Sequence, residues 1–184
     1  YNLDPEKIGV IGWSAGGHLV AMLGTSGGVK ELEGDLGEFT SESSRVTCVV
    51  DFFGPTDFLT IGDYPSQIKH YAPDAPEARL IGGAIPENPD KARQASPITF
   101  VSEDDPPFLL VHGTKDPLVP HQQSVVLRDA LRKVGVPAYL ITVEEGGHGG
   151  FRNPEIERIV DAFFDAYLRG VKHDFEDKTL PNSP

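Results

Sequence analysis

The chain has 184 residues, of which 39% are hydrophobic and 24% charged, an ordinary balance for one soluble globular domain with its own core. Its net charge of −12 makes nucleic acids and anionic membranes poor partners, whereas a small neutral ester or sugar is compatible with it. The sequence contains no apolar run near the length of about eighteen residues that a membrane span needs.

The cysteine and histidine content argues against disulfide and metal chemistry. Cys48 is the only cysteine, and its place in an apolar run predicts a core residue rather than a reactive thiol. The six histidines are scattered and form no His-Glu-x-x-His motif, so we expect no metal and no cofactor. The compartment stays unknown, because a secreted or periplasmic location would require a signal peptide ahead of Tyr1.

The first predicted element is a short buried strand from Ile8 to Ile11, followed by a helix over residues 15–23. Between them, GWSAG around Ser14 matches G-x-S-x-G, the strand-to-helix elbow of a nucleophilic serine. We expect both flanking glycines to be needed there, because strand and helix pass close together. The alternative is a glycine-rich turn whose serine only caps the helix. Phosphate-binding and dinucleotide-binding loops lack support, since neither Gly-Lys-Ser/Thr nor G-x-G-x-x-G occurs here.

The middle of the chain predicts one strand and one long irregular connection. After a polar loop over residues 26–44, the second strand lies within RVTCVVDFFGPTDF, where Asp57 is either a turn-stabilising residue or a substrate contact. Residues 64–100 are rich in proline and glycine, with short helical pieces at 75–81 and 89–94. A connection of this length is typical of a functional insertion, and we interpret it as cap-like; a passive surface excursion is the alternative.

Two further strands each end in a loop with a candidate functional residue. The strand over residues 108–111 leads to Asp116, and the strand over residues 139–143 leads to His148 within EEGGHGGF. Taken alone, Asp116 could be a turn aspartate and His148 a surface histidine. The order Ser14, Asp116, His148, with each residue beyond a strand end, instead predicts a Ser-His-Asp triad.

The remaining residues receive structural interpretations. Helices are predicted over residues 120–134 and 154–168, and the tail over residues 173–184 is predicted to be flexible. His18, His112 and His121 are predicted to be structural or solvated, because His148 already fills the role of base.

With these motifs in place, the chain resembles the C-terminal part of an α/β-hydrolase serine esterase or lipase. The branch it is most similar to contains carbohydrate esterases such as acetyl xylan and feruloyl esterases, arylformamidase-like esterases and prolyl-oligopeptidase-like hydrolases. The resemblance covers residues 4–168 and is carried by DPEKIGVIGWSAGGHLVAMLG, VVDFFGPTDF, ASPITF, PPFLLVHGTKDPLVP and EEGGHGGF.

The resemblance implies an α/β fold with a mostly parallel sheet flanked by helices, forming a catalytic domain over residues 1–172. It implies hydrolysis of small acyl or carbohydrate-linked esters, of acetyl or feruloyl type, through an acyl-enzyme, with the Ala15 N–H as one oxyanion donor. A serine peptidase or an arylformamidase-like hydrolase is the nearest alternative enzyme.

One family feature has no counterpart in this sequence. Such hydrolases have further strands before the elbow and a His-Gly-Gly-Gly type loop that supplies other oxyanion donors, and that tetrapeptide is absent from the 184 residues. The strand from Ile8 to Ile11 would then have a free edge, which we expect to pair with an N-terminal half or with a second copy. An inactive fragment or interaction module is therefore a further alternative to an enzyme.

Overall fold

The computed structural model describes residues 3–183, which form one parallel sheet with helices on both faces. The five strands follow the chain in the order β1 to β5, and each pairs in parallel with the next. They are β1 Gly9–Trp13, β2 Cys48–Phe52, β3 Phe108–Gly113, β4 Ala138–Glu144 and β5 Lys178–Pro181.

Six α-helices connect these strands, and none of them is long and apolar enough to cross a membrane within the described part of the chain. They are α1 Ala15–Thr25, α2 Lys30–Glu33, α3 Pro76–Ile81, α4 Pro89–Gln94, α5 Gln122–Lys133 and α6 Pro154–Arg169. The predicted helices are all present with small shifts at their ends, and α2 is a single extra turn inside the loop over residues 26–44.

The core lies in two layers, because alternate residues of each strand face opposite sides of the sheet. On β2, Val49 packs with α1 and α5 on one face, whereas Cys48 and Val50 pack with α6 on the other. Cys48 is fully buried, and burial raises the pKa of its thiol to about 12, so its predicted place in the core is confirmed.

The first strand forms one edge of the sheet and extends over residues 9–13 rather than 8–11. Its outward side chains are partly exposed: 45% for Ile8 just before it, 36% for Ile11 and 53% for Trp13. The strand nevertheless reaches the elbow in full register with β2, since Gly12 pairs with Asp51.

The tail is the main error of the sequence-based prediction. Residues 178–181 are not flexible but form β5 beside β4, with Leu180 buried. The preceding Asp177 holds the tail, because its carboxylate accepts hydrogen bonds from Arg128, Arg132 and the Leu140 N–H. Such a carboxylate with two arginines fixes a strand whose own sequence, KTLP, has little strand character.

The long connection between β2 and β3 has a small core of its own. Phe58, Ile61, Ile85 and Ala92 are buried together, and α3 and α4 lie close to the predicted helical pieces. The backbone and side chains of residues 66–70 contact the loop after β3. Its predicted role as a cap over substrate stays a prediction.

Candidate active site

Ser14 lies on a sharp turn between β1 and α1. Its backbone has φ 54° and ψ −119°, and its N–H donates to the Phe52 carbonyl at 2.9 Å. A Cβ on Gly12 would collide with the backbone of Gly16, whereas a Cβ on Gly16 would have nothing within 4 Å. The expectation that both flanking glycines are needed is therefore wrong for Gly16: only Gly12 is required by the close approach of strand and helix.

The strained backbone is concentrated around this site. Among the described residues, the non-glycine residues with positive φ are Ser14, Phe53 and Glu145. Each follows the last residue of a strand, β1, β2 or β4. Such strain is typical of positions where the surrounding structure fixes functional groups at the carboxyl ends of parallel strands.

The structure brings together Ser14, His148 and Asp116, which are up to 134 residues apart in sequence. The Ser14 Oγ lies 2.8 Å from the His148 Nε2, and the His148 Nδ1 lies 2.7 Å from the Asp116 Oδ2. Because a carboxylate only accepts, the Nδ1 carries the proton and the Nε2 accepts from the serine hydroxyl. The arrangement can remove a proton from Ser14 and hold it on a ring that is oriented by a buried acid.

The Asp116 side chain is fully shielded from solvent and has hydrogen-bond donors on both oxygens. Its Oδ1 accepts from the N–H groups of Leu118 and Val119 at 2.8 and 2.9 Å. Its Oδ2 faces His148 and also the Nε2 of His112 at 3.3 Å. Burial by itself would raise the pKa of Asp116, but the hydrogen bonds from His112, Val119, His148 and Leu118 lower it to about 2.

Three further histidines, His18, His112 and His121, have structural partners, as predicted. The His112 ring is fully buried between the Ser124 Oγ at 2.7 Å and the Val119 carbonyl at 3.0 Å. Burial lowers the pKa of His121 to about 4, and its Nε2 lies 3.0 Å from the Thr142 hydroxyl. Burial also lowers the pKa of His18, whose Nδ1 lies 3.0 Å from the Pro55 carbonyl. The rings of His112 and His121 thus pack around the loop that contains Asp116.

Two polar residues near the elbow differ in role. Asp57 accepts from the Leu59 N–H and the Thr60 hydroxyl, which is the turn-stabilising arrangement. Asp51, which the sequence analysis missed, is fully buried beneath the elbow; its Oδ1 accepts from the Gly54 N–H and its Oδ2 has no partner. Burial raises the pKa of Asp51 to about 7, and the bond from Gly54 opposes this only in part. A carboxyl within the apolar run VVDFF was the signal available in the sequence.

An aromatic cavity of about 380 Å³ lies beside the histidine. Its walls include Trp13, Phe52, Phe53 and Phe151. The Phe53 ring centroid is 4.5 Å from that of His148, so the cavity adjoins the base. Aromatic faces of this kind can hold a planar acyl group or the apolar face of a sugar ring.

Ala15 is the first residue of α1, so its N–H has no acceptor within the helix and lies directly after the serine. Such an N–H can bind negative charge that develops next to Ser14. Among residues 3–183, no group of three or more His, Cys, Asp or Glu side chains is placed to hold a metal ion.

The fold of the chain is similar to that of solved structures. A structure described as a truncated form of a carbohydrate esterase from gut microbiota is 40% identical, has a TM-score of 0.81, and is matched over 92% of this chain and 62% of its own. A second structure, an acetyl ester-xyloside bifunctional hydrolase from Caldicellulosiruptor lactoaceticus, is 27% identical with a TM-score of 0.70, over 90% of this chain and 58% of its own. The fold is therefore that of the α/β-hydrolases.

The sequence comparison gives the family more narrowly. The chain belongs to the BD-FAE family, which matches residues 1–131. Among curated proteins, it is 29% identical to the esterase LipQ of Mycobacterium tuberculosis, over 82% of this chain and 34% of LipQ. The chain thus spans about a third of the length of that relative.

Proposed function

We propose that this chain carries the nucleophile, base and acid of a serine carboxylic-ester hydrolase. It acts through an acyl-enzyme on small acyl or carbohydrate-linked esters, of acetyl or feruloyl type. The observation that carries the proposal is the unbroken series of hydrogen bonds from Ser14 through His148 to Asp116. The names of the similar esterase and carbohydrate esterases support the same class of reaction.

In the first half of the reaction, the Ser14 Oγ attacks the ester carbonyl carbon while His148 Nε2 takes the serine proton. The carbonyl oxygen becomes an oxyanion, which the Ala15 N–H stabilises. Asp116 remains ionised, because its pKa of about 2 lies far below neutral pH, and it stabilises the imidazolium. The tetrahedral intermediate then breaks its bond to the alcohol oxygen, which leaves with the proton of His148.

In the second half, water replaces the alcohol. His148 takes a proton from the water as its oxygen attacks the acyl carbon, and a second oxyanion forms at the same position. The bond to the Ser14 Oγ then breaks, the serine recovers its proton from His148, and the carboxylic acid is released.

The aromatic cavity supports the proposed substrates. A feruloyl ring could stack on its walls, and a sugar ring could pack against Trp13, whose side chain is half exposed. The net charge of −12 favours neutral esters over anionic ones.

We also propose that additional polypeptide completes the site along the free edge of β1. Ile11 leaves apolar surface exposed on β1, and the unpaired edge can accept another strand. That polypeptide is either another segment of the same protein or a second copy. A further oxyanion donor from it would raise turnover, since one such donor is worth about 10²–10³ in kcat.

Labelling with a fluorophosphonate probe tests the proposed nucleophile. The 184-residue chain should gain one probe adduct, and peptide mapping should place it on Ser14. Ser14→Ala should gain none, whereas Ser26→Ala, which changes a serine beyond the end of α1, should label like the wild type. Hydrolysis of methyl ferulate and of an acetylated xylo-oligosaccharide then ranks the two acyl groups.

If Ser14 is the nucleophile and a second oxyanion donor is supplied by additional polypeptide, we expect the chain alone to be labelled at Ser14 but to hydrolyse esters slowly. An intact chain that does not react, or that reacts at another residue, would contradict the proposal.

A further inference from the structure

The loop that orients Asp116 is held from its far side by the long connection between β2 and β3. The Gln67 N–H donates to the Pro117 carbonyl at 2.8 Å, and the Ser66 Oγ donates to the Leu118 carbonyl at 2.8 Å. The carbonyls of Pro117 and Leu118, which directly follow Asp116, are thus fixed by residues about fifty positions earlier in the chain.

The same two peptide units orient the acid. The Leu118 N–H belongs to the peptide whose carbonyl is that of Pro117, and the Val119 N–H belongs to the peptide whose carbonyl is that of Leu118. Both N–H groups donate to the Asp116 Oδ1. Because a trans peptide is planar, with its C=O and N–H on opposite sides, a bond to the carbonyl also aims the N–H. Each peptide is therefore held at one end by the connection and donates to Asp116 at the other.

A buried histidine and glutamate complete this support. His70 is 1% exposed and Glu77 is 5% exposed. The His70 Nε2 lies 3.1 Å from the Leu118 carbonyl and 3.2 Å from the Ser66 Oγ, while the Nδ1 lies 3.0 Å from the Glu77 Oε1. Since a carbonyl only accepts, the Nε2 must carry a proton and donate it to Leu118. Glu77 fixes the opposite nitrogen and with it the orientation of the ring.

We propose that His70, oriented by Glu77, is a positioning residue for Asp116, acting through the peptide between Leu118 and Val119. The inference rests on the proposed function, in which Asp116 is the acid that orients His148. As in the active site, a carboxyl group lies on the Nδ1 of an imidazole, but here the Nε2 donates to a backbone carbonyl, whereas the Nε2 of His148 accepts from a serine. The pair is buried, and its effect is to keep the Val119 N–H directed at the carboxylate.

The test compares two amides at position 70. In His70→Gln, the amide nitrogen can occupy the place of the Nε2 and still donate to Leu118. In His70→Asn, the shorter amide reaches only the place of the Nδ1 and leaves the Leu118 carbonyl without this donor. We expect kcat to fall about 10- to 100-fold in His70→Asn with little change in KM, and to stay within about threefold of wild type in His70→Gln.

A spectroscopic signal reports the same effect without turnover. The proton on the His148 Nδ1, in its short bond to Asp116, should give a resolved low-field proton resonance. That resonance should move or broaden in His70→Asn and keep its wild-type position in His70→Gln. A residue that only stabilised the fold would affect both variants alike.

Equal kcat and equal resonances in the two variants would overturn the proposal. If position 70 does not tolerate either amide, Ser66→Ala removes the other side-chain donor to Leu118 and should shift the resonance in the same direction; an unchanged resonance there would also overturn it. A wild-type chain that neither labels at Ser14 nor turns over esters would contradict the proposed function instead, while the resonance would still decide the positioning role.

Discussion

The two sides of the candidate active site are built differently. On the side of Asp116 and His148, the Asp116 carboxylate is buried and has hydrogen-bond donors on both oxygens. The loop after Asp116 is held in turn by residues of the long connection between β2 and β3. On the nucleophile side, Ser14 follows an edge strand whose Trp13 is 53% exposed, and Ala15 is exposed as well. The described residues therefore hold Asp116 and His148 in place, whereas the surface around Ser14 and Ala15 is exposed.

The pKa values of two buried carboxyl groups, one on each side of the site, are shifted in opposite directions. Asp116 has its pKa lowered to about 2, because hydrogen bonds outweigh its burial. Asp51, beneath the elbow, has its pKa raised to about 7, because burial outweighs its one bond from Gly54. Hydrogen bonds therefore favour the charged form of Asp116, whereas burial disfavours the charged form of Asp51.

The largest expected effect comes from Asp116→Asn. The amide oxygen should stay on the N–H groups of Leu118 and Val119, so the NH₂ group would face His148 and force its proton onto the Nε2. The imidazole could then no longer accept from Ser14, and kcat should fall about 10³–10⁴-fold. Ester hydrolysis measures this, with Asp57→Asn as the matched control in a turn. A variant that keeps more than a tenth of wild-type kcat would show that Asp116 does not orient the base.

On the elbow side, the expected effect is smaller and concerns stability. Gly12→Ala should lower the free energy of unfolding by about 1–3 kcal/mol, because its Cβ meets the Gly16 backbone. Gly16→Ala is the matched control, where the Cβ enters open space and a helix position should gain up to about 1 kcal/mol. Urea unfolding of both variants measures the difference. Equal midpoints would mean that strand and helix can move apart at the elbow.

The smallest expected effect is the pH dependence due to Asp51. The pKa of Asp51 in the folded protein, about 7, is above its value in the unfolded chain. The contribution of Asp51 to the free energy of unfolding is therefore fully present below about pH 4 and is lost as pH rises through 7. The unfolding free energy of Asp51→Asn, measured relative to that of the wild type, should therefore increase from pH 5 to pH 8 by on the order of 1 kcal/mol.

Unfolding free energies of both proteins at the two pH values measure this gain. A parallel pH dependence would mean that Asp51 is ionised in the folded protein. Asp116 has the opposite sign, since its contribution is present above about pH 4 and is lost as pH falls toward 2.

Much of the fold follows from local sequence. The apolar runs of β2 and β3 are fully buried on both faces, so their composition predicted them directly. The parallel arrangement then brings the loops after β1, β3 and β4 to one edge of the sheet, which is why Ser14, Asp116 and His148 could be predicted from their places beyond strand ends.

Two features were not predictable because they depend on partners far away in sequence. The strand β5 exists because Asp177 meets Arg132, 45 residues earlier, and nothing in KTLP indicates this. The role proposed for His70 likewise depends on Leu118, 48 residues later. At Gly16 the error was local: the motif contains two glycines, but only one of them faces backbone.

The connection from β4 through α6 to β5 winds in the opposite sense to the connection from β3 through α5 to β4. Both advance by one parallel strand in the same direction across the sheet, yet α5 covers one face and α6 covers the other. About 98% of such crossovers are right-handed, so one of these two has the rare hand. Since α1 and α5 share a face, the exception is the last one. The final strand thus joins the β4 edge by a connection of opposite hand to those that link β1 to β4.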